Sequence, residues 1–263
     1  MTSREASIFK PFLISAARGA GEILVKYYNR IHKIERKRNA GIVTEADKYA
    51  EAYLLKKIFS KFPKSSIITE ESGEYKGDSS LIWVIDPLDG TTNYAHGFPW
   101  FCVSIGLMVD GEPFAGVIWN PMTRELFFGQ KGKGSTLNGK RIHVSKTSKL
   151  RDCLLGTGFY YMKGMDLRRE MEIFTRMNEF ALGVRRPGSA ALDLAYVAAG
   201  RYDAFWEKRL SPWDVAAGFI LVNEAGGRVS NYHGKATTIF DREVVASNGV
   251  IHRRLTNIIS RPN

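Results

Sequence analysis

Asp86 and Asp89 stand three residues apart in Trp83-Val-Ile-Asp-Pro-Leu-Asp-Gly-Thr-Thr-Asn93, directly after a short apolar run. Pro87 splits the pair, and a turn there aims both carboxylates and the Leu88 carbonyl at one point. A donor set made only of oxygen suits a hard divalent cation. Mg2+ in such a site keeps waters in its remaining positions, clamps phosphoryl oxygens and lowers the pKa of a bound water. Gly90-Thr91-Thr92 follows, with unencumbered backbone N–H groups that make a ready anion site. Metal and phosphate would be neighbours.

Carboxylates elsewhere are placed to complete this site. Glu70-Glu71 follows Ile67-Ile68 and so ends a strand, Trp213-Asp214 opens a helix, and Asp47 opens another. Taken singly, each has an ordinary structural explanation. Asp47 is a capping-box residue behind Thr44, Glu70-Glu71 a solvated edge, and Asp214 a first-turn acid that complements the helix dipole.

Other phosphate chemistries fail on spacing. A cysteine phosphatase needs Arg six residues after its nucleophile, where Cys102 has Met108 and Cys153 has Phe159. A haloacid-dehalogenase nucleophile needs D-x-D, and Asp86 and Asp89 are one residue too far apart. The run Gly129 to Ser135 lacks the Lys before Ser of a P-loop, and Gly156-Thr-Gly158 has Tyr161 where a dinucleotide fingerprint needs a third Gly. Both runs are read as turns.

The elements that must hold these groups alternate in type. Ile8, Phe12, Ala16 and Ala20, with Leu13, Ala17 and Leu24, recur at helical spacing. A basic turn, Lys33 to Gly41, precedes a helix with Thr44 as N-cap and Ala46, Ala50, Leu54 and Ile58 as its buried stripe. Leu81 to Ile85 reads as a buried strand, and Val103, Ile105, Leu107 and Val109 alternate as a half-exposed one. Asp110-Gly111 and Asn138-Gly139 are hairpin signals, so an antiparallel meander is expected. After Ser145 the expectation is a strand at Cys153 to Thr157, a helix from Asp166 to Leu182, a strand at Val184 to Arg186, and a helix from Ser189 to Gly200. A strand at Tyr202 to Glu207 and a helix from Pro212 to Gly226-Gly227 complete it. With no linker between them, residues 1–145 and 146–263 are expected to be halves of one body.

Composition bounds the rest. The 263 residues carry 38 Lys and Arg against 27 Asp and Glu, a net charge of +11, and 44% hydrophobic residues, enough for a folded core. Arg18 and Glu22 interrupt the best apolar run, and the first residues lack a secretory pattern, so a cytoplasmic protein without membrane spans is expected. Two distant cysteines and five scattered histidines disfavour disulfides and zinc. Basic groups at Arg36-Lys37-Arg38, Lys140-Arg141, Arg168-Arg169, Lys208-Arg209 and Arg253-Arg254 favour polyanions in general, nucleic acid included, without a recognition motif to specify one.

In chain order, Asp47, Glu70-Glu71, Asp86-Pro-Leu-Asp89-Gly-Thr-Thr and Trp213-Asp214-Val-Ala-Ala-Gly218 resemble the signature of the inositol monophosphatase family, within the lithium-sensitive, magnesium-dependent phosphatase superfamily. The likeness continues through Gly188-Ser-Ala-Ala191, Glu207 and Glu224-Ala-Gly-Gly227, covers nearly the whole chain and is nearest to bacterial inositol-1-monophosphatases. It implies an α/β (α+β) fold layered α-β-α-β-α, with an antiparallel sheet in the first half and a mixed sheet in the second. By the same resemblance Glu70, Asp86 and the Leu88 carbonyl hold one Mg2+, Asp86, Asp89 and Asp214 a second, and Glu70 helps place a third. Thr91 with Asp47 orients and deprotonates the attacking water, and the backbone of Gly90 and Thr91 cradles phosphate. Asp89, Ala190, Glu207 and Asp214 face the polyol, with Arg185 nearby.

The implied activity is hydrolysis of inositol monophosphate by a metal-activated water without a phosphoenzyme, in a homodimer inhibited by Li+. Other small phosphates (fructose 1,6-bisphosphate, 3′-phosphoadenosine 5′-phosphate, NADP, histidinol phosphate) share the metal motif, and an additional role with RNA or transcription is the alternative outside catalysis. One departure stands out. Gly41-Ile42-Val43-Thr44 occupies the place where many relatives read Asp-Leu-Val-Thr, which leaves the metal ligands intact and bears on the basic loop before Asp47.

Overall fold

Phe9, Phe12, Leu13, Ala16, Ala17, Ala20 and Leu24 are buried along one face of α1 (Ser3–Tyr27) in the computed structural model, which describes residues 3–30, 34–36, 41–159 and 164–261. Ile8, expected on that face, is 38% exposed, and Phe9 takes its place beside Phe62 and Trp83. The basic turn lies partly outside the described residues; its ends form a ribbon of β1 (Ile34–Arg36) against β2 (Ile42–Thr44). Thr44 then caps α2 (Glu45–Lys61), whose Ala46, Ala50, Leu54 and Ile58 are buried as expected.

Seven strands and a short helix follow: β3 (Ser65–Thr69), β4 (Gly73–Tyr75), β5 (Asp78–Asp89), α3 (Thr91–Ala95), β6 (Cys102–Val109), β7 (Glu112–Asn120), β8 (Glu125–Gln130) and β9 (Gly134–Leu137). With β10 (Lys140–Ile142) they form an eight-stranded sheet ordered β10-β9-β8-β7-β6-β5-β3-β4, antiparallel except where β3 runs parallel to β5. Asp110 and Gly111, at φ 52° and 81°, and Asn138 and Gly139, at 49° and 80°, make the two expected tight turns. β6 departs from its half-exposed pattern. Seven of its eight residues are buried. Val103, Ile105 and Leu107 pack toward α1 and α2, and its other face is covered by a helix of the second half.

That second half runs from a 3-10 turn (Leu150–Asp152) through β11 (Leu154–Thr157), α4 (Gly164–Phe180), β12 (Gly183–Arg185), α5 (Ala190–Ala198), β13 (Ala204–Lys208) and α6 (Pro212–Glu224). β14 (Arg228–Ser230), β15 (Glu243–Ser247) and α7 (His252–Ile259) complete it. The sheet order is β12-β11-β13-β15-β14, with β11 parallel to both its neighbours and β15 antiparallel to its own, hence mixed. α5 and α6 share one core with both sheets, while Ile173 and Met177 of α4 and Leu255 and Ile259 of α7 cover the outer face of the second sheet. The layers are therefore α-β-α-β-α.

α6 lies unusually close to the first sheet. A Cβ on Gly106 would stand 2.6 Å from Ala216 Cβ, and one on Gly116 would stand 2.7 Å from Ala217 Cα, so bare strand backbone lets the helix down onto the sheet. Among the described residues no helix is long and apolar enough to cross a membrane.

Candidate active site

The Asp86-to-Asp89 segment is a bulge inside β5 rather than a turn after it. Asp86 pairs with Ser104 and Asp89 with Cys102, so Pro87 and Leu88 together oppose Val103 alone. In a regular strand residues three apart point to opposite faces; the extra residue re-aims Asp89 toward the side of Asp86. Pro87 fits because a bulge asks for no ladder N–H there. Leu88 N donates to Asp86 Oδ1 at 3.0 Å, fixing a carboxylate that is 1% exposed. Gly90 then turns the chain into α3 at φ +94°, where a Cβ would stand 2.8 Å from the Trp100 carbonyl oxygen. Only glycine meets both demands.

Asp89 is held from the far half of the chain. Ser189 Oγ donates to its Oδ2 at 2.6 Å and Ala191 N at 2.8 Å, with the Ala190 backbone adding a third bond. Asn93, two residues into α3, donates to the Trp100 and Pro187 carbonyls, both at 2.8 Å, and so ties the bulge to the loop before α5. Burial nevertheless dominates at Asp89 and pushes its pKa up to about 6.

Asp47 and Asp214 occupy equivalent places at the starts of α2 and α6. Each closes a capping box, Asp47 Oδ2 accepting from Thr44 N at 2.8 Å and Asp214 Oδ2 from Ser211 N at 2.7 Å. Asp47 Oδ1 remains on the other side, 3.2 Å from Thr91 Oγ1, which also lies 3.1 Å from the Leu88 carbonyl. Asp47 therefore caps the helix with one oxygen while the other faces Thr91. Glu70 leaves β3 and shares a side-chain hydrogen bond with Asp86. Behind it Glu51, 4% exposed, accepts from Thr69 Oγ1 at 2.6 Å and Glu71 N at 3.0 Å and also from Ser72 Oγ, fixing the corner that presents Glu70.

These acids act on one another. Burial raises the pKa of Asp86 well above the ordinary carboxylate range, and Glu70, Asp89 and Asp214 raise it further. Glu207 is likewise pushed well up, by burial first and then by Asp214 and Asp89. Among the described residues the acids do not stand as a closed cage of three; their like charges converge on one region from β3, β5 and α6. The donors are oxygen throughout, and their mutual repulsion is the electrostatics that a hard divalent cation relieves. The residues present fit Mg2+.

Glu207 is 8% exposed on β13 and lies over Gly158, where a Cβ would collide with its carboxylate. The exposed ion pair that its neighbours Lys208-Arg209 would suggest is excluded. Ala190 is buried at the first turn of α5. Arg185 is exposed, with its guanidinium 3.2 Å from the Val184 carbonyl. The arginine whose charge reaches Glu207 and Asp193 is Arg186, held by the Phe159 carbonyl at 3.2 Å.

Sequence reasoning overlooked four contributors: Glu51, Asn93, Arg186 and Asp193. Glu51 falls one helical turn after Asp47 and Asp193 one turn after the Ser189 cap, so a helical projection from those positions would have found these two. Asp193 is 1% exposed, and burial followed by the charge of Glu207 raises its pKa well above normal.

The chain resembles known proteins along nearly its whole length. A sequence model of the "Inositol monophosphatase family" matches residues 6–261. The chain is 41% identical to an inositol-1-monophosphatase of Synechocystis, over 99% of this chain and 94% of that one. It is 42% identical to the Nus factor SuhB of Escherichia coli, over 93% of each. The crystal structure of extragenic suppressor protein suhB from Bartonella henselae superposes with a TM-score of 0.92 at 38% identity, covering 97% of this chain and 99% of the other.

Proposed function

Since the chain belongs to the inositol monophosphatase family and is a phosphatase, we propose that its reaction is the Mg2+-dependent hydrolysis of inositol monophosphate to inositol and phosphate. Glu70, Asp86, the Leu88 carbonyl, Asp89 and Asp214 would hold the metal, which supplies positive charge to the phosphoryl oxygens. The rest falls to the chain itself. Backbone N–H groups of Gly90 and Thr91 bind phosphate oxygens, Thr91 Oγ1 orients the attacking water, and Asp47 Oδ1 at 3.2 Å takes the proton passed through it. Attack is direct and in line. The hydroxyl of Thr91 lies between Asp47 and the Leu88 carbonyl, where it can bridge the attacking water and its base.

The observation that carries the choice of a polyol ester is Glu207, a buried carboxyl beyond the phosphate-facing acids. Its oxygens suit the hydroxyls of a cyclitol and lie with Ala190 on the leaving-group side. Phosphate release from inositol 1-phosphate, fructose 1,6-bisphosphate, 3′-phosphoadenosine 5′-phosphate, NADP and histidinol phosphate, each with Mg2+, tests it. A preference of less than about tenfold for the inositol ester would leave Glu207 without the expected hydrogen bond. A homodimer, Li+ sensitivity and a cytoplasmic setting belong to the same reading.

The +11 charge and the likeness to a protein named a Nus factor favour a second role, in transcription, alongside catalysis. Salt-sensitive retention of RNA by the purified protein tests it.

A further inference from the structure

The second sheet has two ends, and only one serves the acids. Gly158 and Glu207 mark that end; β11 runs back from it over about 13 Å to the 3-10 turn at Leu150–Asp152. There a cavity of about 630 Å3 opens between this turn, the C-terminal end of α4 and α7. Lys149, Arg151, Arg254 and Arg261 stand around it, Phe180 forms a wall and Asn257 reaches it, over an apolar floor of Leu150 and Ile258. No lining residue is acidic.

The cations come from separate elements, yet they converge. Arg151 has a loose, exposed pair with Asp152 at 3.9 Å, and Lys149, Arg254 and Arg261 pair with no carboxylate among the described residues. Solvated basic faces normally intersperse acids, which lower the local potential; here four positive groups share one concavity, which focuses it. Phe180 is 46% exposed at the rim although it closes an amphipathic helix. The volume falls in the range of small-molecule sites.

We propose that this cavity binds a nucleotide, its phosphates among the guanidinium groups and Lys149, and its base against Phe180 over the apolar floor. Arginine forks match phosphate oxygens in pairs, and a flat ring covers an aromatic side chain at little entropic cost. A single strand of nucleic acid asks instead for a groove with successive aromatic platforms. Here one ring lines one open depression.

Calorimetric titration of the full chain, in Mg2+, with ADP tests the assignment. Micromolar binding is expected, weakened roughly ten- to a hundredfold or more in Arg151→Glu/Arg254→Glu, since each lost contact to a charged group weakens binding about tenfold or more. The same double variant should hydrolyse inositol phosphate normally, and Asp214→Asn should bind ADP as the parent does. Phe180→Ala should weaken ADP but leave inorganic tripolyphosphate unaffected. Four results overturn the proposal: no binding at about millimolar ADP, loss in Asp214→Asn alone, tripolyphosphate matching ADP, or a ten-nucleotide RNA that binds through Arg151 and Arg254 where ADP does not.

Discussion

Asp47 divides its two oxygens between two tasks: Oδ2 closes the capping box on Thr44, and Oδ1 faces Thr91 Oγ1 across 3.2 Å. Replacing Asp47 therefore disturbs a helix start and, in the proposed reaction, a proton path, and the two consequences are separable. Asp47→Asn should lower kcat strongly while costing about 1 kcal/mol of stability, the usual worth of a cap. Thr91→Ala should lower kcat without the cap loss. Because both serve one water in the proposed reaction, the double variant should lose far less than the product of the single losses. Fully multiplicative kcat values, measured beside urea midpoints, would reduce Asp47 to a cap.

Asp89→Asn and Asp214→Asn should abolish turnover in a folded protein, since an amide removes the charge at nearly constant volume. The acids also set a pH dependence. With burial holding Asp89 up at about 6 and Asp86 higher than usual, the folded state binds protons more readily than the unfolded chain. Metal-free protein is thus favoured at low pH and loses stability as pH rises through about 6. The gain in Tm from adding Mg2+ should therefore grow between about pH 5 and pH 8. A gain independent of pH would separate the metal from these carboxylates.

Glu207→Gln keeps the size of the side chain and removes its charge. Loss of a hydrogen bond to a charged group should lower kcat/KM for inositol phosphate roughly ten- to a hundredfold. Turnover of p-nitrophenyl phosphate, which offers no ring hydroxyls, should change little. Equal losses on both substrates would move Glu207 into support of the metal site.

His252 should titrate against the trend of the acids. It is buried between Ser247 Oγ and Ser230 Oγ, each 2.8 Å from a ring nitrogen, and burial, with Arg228 adding to it, holds its pKa down to about 4. The unfolded chain takes up its proton first as pH falls below about 6.5. Stability is therefore complete above that point and declines toward pH 4, by about 2–3 kcal/mol. In His252→Asn this part of the slope should vanish from denaturant midpoints measured in saturating Mg2+.

The Asn93 amide bridges the Trp100 carbonyl, ahead of β6, and the Pro187 carbonyl, in the loop before α5, each at 2.8 Å. Asn93→Leu strands both carbonyls, at about 1–3 kcal/mol each if they stay dry. Mg2+ affinity should fall together with stability, because Asp89 takes its bonds from Ser189 and Ala191 just beyond. An unchanged metal affinity in a destabilised protein would show that the tie is structural only.

The sequence shows its local signals plainly and its long-range ones hardly at all. Thr44 and Ser189 caps, the paired turns at Asp110 and Asn138, and the stripe on α2 are set by neighbours within four residues, and all form as read. β6 was misjudged because alternation is informative only when one face meets water, and α6 removes that water. β14, β15 and α7 were not anticipated, although Val244-Val245 and the helical spacing of Leu255, Ile258 and Ile259 are local signals. The order of the acidic motifs is legible through family likeness, whereas the support of Asp89 by Ser189 spans 100 residues and has no local trace.

Gly106 and Gly116 sit beneath Ala216 and Ala217, only two and three residues beyond Asp214 on the same helix. The first sheet therefore works as a depth gauge for the opening turn of α6. A methyl group added at either glycine, 2.6 or 2.7 Å from α6, would force the helix up and lift its leading carboxylate with it. Damage at these strand positions should register as weakened cation affinity before it registers as unfolding, so a survey scored by metal demand would uncover a sensitive row in β6 and β7 that a survey scored by melting alone would pass over.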